Sequence, residues 1–173
     1  MPTNTGSYNS RPGHAAFMSE IQTTVLGVVR RDEESLVQRL IDPGGGSFYR
    51  PIGGGIEFRE TSAEALEREF REELGARVSA GPVVGTMENL FAWDGTAEHE
   101  LVVLRTAAFV DESLYDRDRF DGVDAGGDVE YEATWHTLAE LAAASEPLYP
   151  AGLAELLRGE TGAGRGHVVS PRE

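Results

Sequence analysis

The sequence predicts an α/β/α sandwich built around a mixed β-sheet. Three observations carry this prediction: runs rich in β-branched and aromatic residues come in pairs, a strongly amphipathic helix separates two such pairs, and helical segments close the chain. Strands interleaved with helices favour a layered fold in which helices cover a sheet. The 173 residues suit one domain with a substantial core, and no internal repeat divides them.

The first pair of strands lies near the N-terminal end. Residues 23–30 and 36–41 are β-rich runs separated by the charged turn 31–34, which predicts a hairpin. Residues 43–47 are predicted to form a glycine-rich loop, and residues 48–50 lead from it into the segment that contains the amphipathic helix.

The second pair of strands follows the helix. Residues 83–93 and 100–110 are again β-rich, and the dipeptide Asp94-Gly95 is a hairpin-type turn signal within the longer connection between them. Residues 111–128 are acidic and contain glycines, so we expect a surface loop there.

The chain closes with one strand and two helices. Residues 131–135 are predicted to form the last strand, and residues 138–144 and 151–157 are predicted to be helical. Pro150 is placed to open the second of these helices.

The caps of the amphipathic helix define its length. Thr61 followed by Glu64 forms a capping box, and Gly75 is a typical C-terminal stop, so the helix is predicted over residues 62–74. At about 100° per residue, apolar residues recur on one face and predict a buried stripe. The residues of this stripe are Ala63, Leu66, Phe70 and Leu74.

Three carboxylates, Glu69, Glu72 and Glu73, share an arc of the helix beside the buried stripe. No cation is expected within this arc, and its other members, Ser62 and Ala65, are small enough to leave room for ions or a substrate. Like charges so close together repel each other. Magnesium and manganese favour carboxylate oxygens, so this arc predicts a divalent-metal site.

The opposite flank of the helix is charge-matched. Glu64 and Arg68, like Glu67 and Arg71, are spaced four residues apart in the favourable order, so two ion pairs are expected. A solvated acidic helix would explain this flank. It does not explain an unmatched acidic arc after a glycine run, residues 53–55, which is expected to be a loop.

This segment resembles the signature of the Nudix hydrolases. The signature reads Gly, five residues, Glu, seven residues, Arg-Glu, an apolar residue, any residue, Glu-Glu, any residue, Gly and an apolar residue. Every fixed position is present, and the matching residues are Gly54, Glu60, Arg68, Glu69, Phe70, Glu72, Glu73, Gly75 and Ala76. Phe58 and Arg59 stand where many members have Pro-Gly, so the loop is expected to differ in shape.

The resemblance implies a Nudix-type sandwich and a hydrolase that cleaves the diphosphate linkage of a nucleoside diphosphate derivative. The substrate would be a nucleotide, a nucleotide sugar or a dinucleotide. The chemistry implied is attack of activated water on phosphorus, with Mg²⁺ or Mn²⁺ as cofactor. The resemblance assigns the metal to Glu69, Glu72 and Glu73, with the backbone carbonyl of Gly53 as a further ligand.

The other fixed positions of the signature would be structural. They are Gly54, Glu60, Arg68 and Gly75. The helical spacing also turns Arg68 away from the acidic arc. Many members of the family use a further acid as base or metal ligand, and Glu98 and Glu100 are the candidates here, with surface positions at a strand start as the alternative. His99 between them is expected to be structural or exposed.

A nucleobase would need an aromatic surface on which to stack. Tyr49, Phe91, Trp93 and Trp135 are the aromatic candidates, with ordinary core packing as the alternative for each. Trp93, beside the Asp94-Gly95 turn, is the one expected to be partly exposed. Arg50 is placed to reach a phosphate group.

Composition excludes several classes of function. The chain has no lysine and no cysteine, so Schiff-base, P-loop-lysine and thiol chemistry are excluded, as are disulfides and cysteine zinc sites. A net charge of −15 disfavours nucleic acid and anionic membranes as partners. Acidic residues without lysine suggest adaptation to high salt, and a GC-rich genome that favours arginine is the alternative.

The sequence predicts a cytoplasmic protein with a polar tail at each end, over residues 1–19 and 159–173, around a domain spanning 20–158. The resemblance also makes a homodimer the assembly to test, since dimers are frequent in the family. Two other functions compete with a hydrolase: a Nudix-fold sensor that binds a nucleotide without cleaving it, and an acidic interaction protein with an incidental resemblance.

Overall fold

The computed structural model describes residues 20–124, 128–159 and the backbone of 167–169. Within them the chain forms an eight-stranded mixed sheet in the order β6-β7-β2-β3-β1-β5-β4-β8. The strands are β1 (Gln22–Arg31), β2 (Glu34–Ile41), β3 (Ser47–Gly55), β4 (Val78–Trp93), β5 (Thr96–Phe109), β6 (Arg119–Val123), β7 (Glu130–Thr137) and β8 (His167–Val169). The helices are α1 (Ser62–Leu74), α2 (Leu138–Ala143) and α3 (Leu153–Arg158). The predicted tails lie almost wholly outside the described residues.

Strand β1 separates two hydrophobic cores. Val25 and Val29 pack in one core with Phe70 of α1, whereas Leu26 and Val28 pack in the other with α3. Successive side chains of a strand point to opposite faces, so this alternation places α1 and α3 on opposite sides of the sheet. The predicted Nudix-type α/β/α sandwich with a mixed β-sheet is therefore confirmed.

The predicted first hairpin is correct only at its turn. Strands β1 and β2 pair at two positions beside the turn and then separate, because β3 enters between them. The first half of β3 pairs with β2, and its second half pairs with β1. Strand β1 also pairs in parallel with β5, so it is buried on both faces.

The glycine run is part of a strand. Gly53, Gly54 and Gly55 pair with Leu26, Val25 and Thr24 of β1, so the expected loop begins only after them. The prediction was wrong because local composition marks glycine as loop-forming, while the long-range pairing with β1 decides the conformation.

Two connections differ from expectation. Asp94 and Gly95 alone join β4 to β5, with Trp93 pairing with Thr96, so the longer connection that the sequence suggested does not exist. The predicted loop over residues 111–128 contains a 3-10 helix, Glu112–Asp116, and β6. Strand β6 is short and alternates buried with exposed residues, a weak signal in an acidic segment.

Helix α1 has the predicted bounds and caps. Thr61 and Glu64 form the capping box, and Gly75 ends the helix in the left-handed conformation. Leu66 and Phe70 are fully buried, which confirms the face that packs on the sheet. The closing helices are shorter than predicted, and α3 begins after Gly152 rather than at Pro150.

None of the helices in the part of the chain that the structure describes has the length and apolar character needed to span a membrane.

Candidate active site on helix α1

Helix α1 carries two buried carboxylates one turn apart. Glu69 is 3% exposed and Glu73 is 5% exposed, whereas Glu72 between them is exposed to solvent. The burial of Phe70 against the sheet draws these two acids of the same helix into the protein. Burying charged groups is costly unless they are paired or bind a metal, so these two acids need partners.

Arg68 partners the acids, which contradicts the sequence prediction. Its Nη1 lies 2.8 Å from Glu69 Oε1 and 3.3 Å from Glu72 Oε2. The expectation that Arg68 faces away, and that the acidic arc has no cation, is therefore wrong. A long arginine side chain reaches beyond the arc to which its Cα belongs.

The same guanidinium ties the helix to the loop before it. Arg68 Nε donates to Glu60 Oε1 at 2.8 Å, and Nη2 donates to Glu60 Oε2 and to the carbonyl of Gly55, each at 2.9 Å. This bidentate pair lowers the pKa of Glu60 and raises the pKa of Arg68. One arginine thus joins β3, the loop and the acids of α1.

The predicted ion pairs on the opposite flank are replaced by backbone contacts. The Glu64 carboxylate accepts the N–H of Thr61 in the capping box, and Glu67 accepts the N–H of Ala80 at 3.0 Å. Arg68 is already committed to Glu60. Glu64 therefore caps α1 and Glu67 fastens it to β4, and neither pairs with an arginine of the described residues.

One oxygen of Glu69 has no partner. Glu69 Oε2 is buried and accepts no hydrogen bond from the described residues. The carboxyl group rests on Gly54, where a Cβ would lie 2.5 Å from Glu69 Cδ, so a larger residue there would displace the carboxyl from its present position. Burial raises the pKa of Glu69 although Arg68 opposes the shift.

Glu73 is held by a tyrosine of another strand. Tyr131 Oη, on β7, donates to Glu73 Oε2 at 2.7 Å. Burial raises the pKa of Glu73 to about 8, with the Tyr131 hydrogen bond opposing the shift and the charge of Asp124 adding to it. Without a cation, the folded protein thus favours protonated Glu73 near neutral pH.

Asp124 is a fourth acid that sequence reasoning missed. It follows β6, and its charge adds to the effect of burial in raising the pKa of both Glu69 and Glu73, which places it near them. Little in the sequence pointed to this residue, because residues 111–128 were predicted to be a surface loop. The short alternating pattern of β6 is the signal from which a strand ending next to Asp124 could have been predicted. That strand is what brings Asp124 near α1.

The expected room for ions beside Ser62 and Ala65 is absent. Ala65 is fully buried in the core, and Ser62 Oγ accepts a hydrogen bond from Arg105 Nε at 2.9 Å. Ala65 thus serves packing and Ser62 serves anchoring of α1.

In the ranges 20–124 and 128–159, no three acidic or histidine side chains are gathered closely enough to form a ready metal site. Arg68 stands between Glu69 and Glu72, and Tyr131 holds one oxygen of Glu73. The donors nonetheless suit a hard cation, since Glu69 Oε2 is a carboxylate oxygen that is buried without a hydrogen bond from the described residues.

Glu100 lies in a different polar cluster. It is 8% exposed, accepts from Asn89 Nδ2 at 3.0 Å and Thr24 Oγ1 at 3.4 Å, and lies 3.6 Å from Arg50 Nη2. The charge of Arg50 also opposes the effect of burial on the pKa of Glu73, so its guanidinium links this cluster to the acids of α1. Glu98, the other candidate, accepts from Gln22 Nε2 at 3.2 Å.

The aromatic candidates do not come together as one surface. Trp93 is 40% exposed and contacts Phe48 with ring centroids 6.1 Å apart, and Tyr149, also 40% exposed, contacts Phe48 at 5.3 Å. Phe48 and Arg50 share one side of β3, whereas Tyr49 between them contacts His136. The predicted set of Tyr49, Arg50 and Trp93 is therefore divided between two faces.

Core packing accounts for another candidate. Trp135 is 7% exposed and packs with Phe109 and Phe120. Its indole Nε1 donates to the carbonyl of Arg117 at 2.7 Å. The alternative that the sequence left open for this residue, ordinary core packing, is the one observed.

The NUDIX domain family matches residues 20–158 of the chain. The chain belongs to the Nudix family. Its members are generally pyrophosphohydrolases, so the family and the enzyme class predicted from the sequence are confirmed. None of the curated proteins matches the chain.

Solved structures of other proteins share this fold. A NUDIX hydrolase from Nitrosomonas europaea superposes with a TM-score of 0.62 at 18% identity, over 82% of this chain and 88% of that one. A MutT NUDIX hydrolase from Burkholderia pseudomallei gives 0.58 at 22%, over 80% and 97%. An ADP-ribose pyrophosphatase from Streptococcus suis gives 0.53 at 14%, over 87% and 99%.

Proposed function

We propose that this Nudix protein cleaves the diphosphate linkage of a nucleoside diphosphate derivative and requires Mg²⁺ or Mn²⁺. The observation that carries the proposal is the buried, unpartnered Oε2 of Glu69. An unsatisfied carboxylate oxygen is costly in a protein interior, and a divalent cation is the partner that fits its chemistry.

The cation would be held by Glu69, Glu72 and Glu73, with the backbone carbonyl of Gly53 as a further ligand. When bound, it would supply positive charge against the phosphate oxygens and lower the pKa of coordinated water. Arg68 keeps one oxygen of Glu69 in place, and Arg50 is positioned to bind a phosphate group beside the acids.

Two acids outside the signature are candidates for accepting the proton of the attacking water. Glu100 is the candidate from the sequence, and its pairing with Arg50 places it beside the proposed phosphate-binding group. Asp124 is the candidate from the structure, because its charge acts on Glu69 and Glu73. Turnover numbers of Glu100→Gln and Asp124→Asn distinguish them, since only loss of the base lowers kcat at saturating substrate.

The base of the substrate is proposed to stack on Trp93. Partial exposure of this ring and its contact with Phe48, which shares a side of β3 with Arg50, support the assignment. Tyr49 lies on the other face of β3 and contacts His136, so it is not part of this proposed surface. The structural similarity to an ADP-ribose pyrophosphatase makes ADP-ribose a first compound to assay.

A non-catalytic nucleotide sensor is the alternative function. It is favoured by the observation that the described acids are not gathered into a ready metal site. A sensor would bind a nucleotide without turnover and without dependence on a metal.

The decisive assay measures phosphate release or nucleotide products from (d)NTPs, ADP-ribose, nucleotide sugars and dinucleoside polyphosphates, with and without Mg²⁺ or Mn²⁺. Wild type is compared with Glu72→Gln, and Glu67→Gln serves as a matched control from the other side of α1. We expect metal-dependent cleavage that Glu72→Gln abolishes and Glu67→Gln keeps. Nucleotide binding without cleavage in the presence of either metal would favour the sensor.

The proposal also includes a cytoplasmic location, no nucleic-acid or membrane partner, and a homodimer. The net charge of −15 supports the exclusion of polyanionic partners. Light scattering of the purified chain tests the dimer, and a monomer at micromolar concentration would remove that part.

A further inference from the structure

The two buried carboxylates of α1 are held in the same manner by different residues. Each is anchored through one oxygen by a protein donor: Arg68 Nη1 binds Glu69 Oε1, and Tyr131 Oη binds Glu73 Oε2. Glu69 Oε2 is buried without a hydrogen bond from the described residues, and the hydrogen bond that Tyr131 donates to Glu73 is on Oε2 and not on Oε1. A carboxylate anchored through one oxygen presents the other in a fixed direction.

Tyr131 is fixed in place by its neighbours. Only 6% of it is exposed, and Gly122 lies opposite it in the pairing of β6 with β7. A Cβ at position 122 would overlap the Tyr131 ring, including its hydroxyl-bearing end. Because residue 122 is a glycine, the Tyr131 ring can lie across β6 and its hydroxyl can reach α1.

We propose that Tyr131 is a positioning residue: its hydroxyl holds Glu73 Oε2 and thereby directs Glu73 Oε1 toward the side of α1 that would bind the cation. Gly122 contributes by leaving the space that the Tyr131 ring occupies. The inference rests on the proposed metal site. It assigns a part of that site to the β6–β7 pair, which lies outside the signature segment. Partners that orient metal ligands commonly change metal affinity by about 10–100-fold when removed.

The test is the affinity for Mn²⁺ measured by electron paramagnetic resonance, in which the signal of free aqueous Mn²⁺ reports the unbound fraction. Tyr131→Phe removes only the hydroxyl. Tyr115→Phe is the matched control, because Tyr115 Oη accepts the N–H of Phe109 at 3.0 Å in a separate aromatic cluster. We expect Tyr131→Phe to weaken Mn²⁺ binding by about tenfold or more and Tyr115→Phe to leave it unchanged.

A double-mutant comparison separates positioning from a general loss of structure. In a Glu73→Gln background, Tyr131→Phe should have no further effect on Mn²⁺ affinity, because its target carboxylate is absent. An equal loss in both backgrounds would contradict the proposal. Thermal unfolding of the metal-free variants checks that each is folded at the temperature of the titration.

If Tyr131→Phe does not fold, Gly122→Ala gives the same test, since it keeps the hydroxyl but displaces the ring. Wild-type Mn²⁺ affinity in either folded variant would overturn the role of Tyr131 while leaving the proposed function intact. Failure of the wild type itself to bind Mn²⁺ would instead overturn the metal site on which the inference rests.

Discussion

Two buried acidic clusters in this protein differ in how their oxygens are satisfied. Glu100 is surrounded by donors from Thr24, Asn89 and Arg50, so its burial is compensated within the protein. Glu69 and Glu73 are buried more deeply; among the described residues Arg68 binds one oxygen of Glu69, Tyr131 binds one oxygen of Glu73, and Glu69 Oε2 is left without a hydrogen bond. Their pKa values are raised by burial. The first cluster is thus satisfied within the protein, and the second is the one for which we propose a metal ligand.

Loss of packing between α1 and the sheet should have the largest effect on stability. Phe70 is fully buried on the side of the helix that faces the sheet, so Phe70→Ala should lower the free energy of unfolding by about 3–5 kcal/mol. Urea denaturation measures the change. A negligible loss of unfolding free energy would mean that α1 does not pack on the sheet as described. The burial of Glu69 and Glu73, which depends on that packing, would then be in error as well.

Loss of an acid from the α1 cluster should affect activity and not stability. We expect Glu73→Gln to lower turnover by about 100-fold or more, since a ligand matters at least as much as the groups that orient it. Its unfolding free energy should stay level or rise, because burial raises the pKa of Glu73 and the neutral amide does not carry the cost of that shift. Full activity in this variant would contradict the assignment of Glu73 as a metal ligand.

The same substitution in the other cluster should affect stability. Glu100→Gln leaves Arg50 facing a neutral group, so we expect a loss of about 1–3 kcal/mol in unfolding free energy. Chemical denaturation of Glu73→Gln and Glu100→Gln side by side gives the contrast. Equal stability of both variants would remove the distinction drawn between the clusters.

The pH dependence of metal-free stability should report Glu73. Its pKa is about 8 in the folded protein and near 4.5 when unfolded, so the folded state retains a proton that the unfolded state has lost. The free energy of unfolding should therefore fall as pH rises from about 5 to 8, with a slope of at most about 1.4 kcal/mol for each pH unit. Denaturation across this range tests it, and Glu73→Gln should flatten the curve. A wild-type curve already as flat as the variant's would contradict the raised pKa.

Salt should distinguish the two clusters least. Its effect should instead be on the stability of the whole protein. If the net charge of −15 reflects adaptation to high salt, molar salt should raise the unfolding midpoint by screening repulsion. Thermal unfolding in low and in molar NaCl measures it. An unchanged midpoint would favour the alternative that genome composition explains the arginines.

The parts of the fold that follow from local chemistry were predictable. The caps of α1 and its buried stripe depend on residues within a few positions of each other, so Thr61, Gly75 and Phe70 behave as the sequence indicates. The position of Arg68 was not predictable from helical spacing, because a long side chain selects among several acceptors. The partners of Glu73 depend on β6 and β7, whose approach to α1 is set by the sheet.

The substrate side was less predictable for a similar reason. Tyr49, Arg50 and Trp93 are suitable residue types, but strand alternation and the path of β3 between β1 and β2 decide which of them share a face. Tyr149 follows α2 in the sequence, far from Phe48, and the two residues meet only in the folded protein. Residue type identifies candidates, and topology decides which of them lie together.

Diffraction from crystals soaked in Mn²⁺ tests the central claim most directly, because anomalous scattering locates the ion. We expect a peak within coordination distance of Glu69 Oε2 and Glu73 Oε1, with Arg68 and Tyr131 still on the other oxygens. A protein that binds no Mn²⁺ beside these oxygens, or binds it only elsewhere, would contradict the claim that the two buried acids are prepared for a metal.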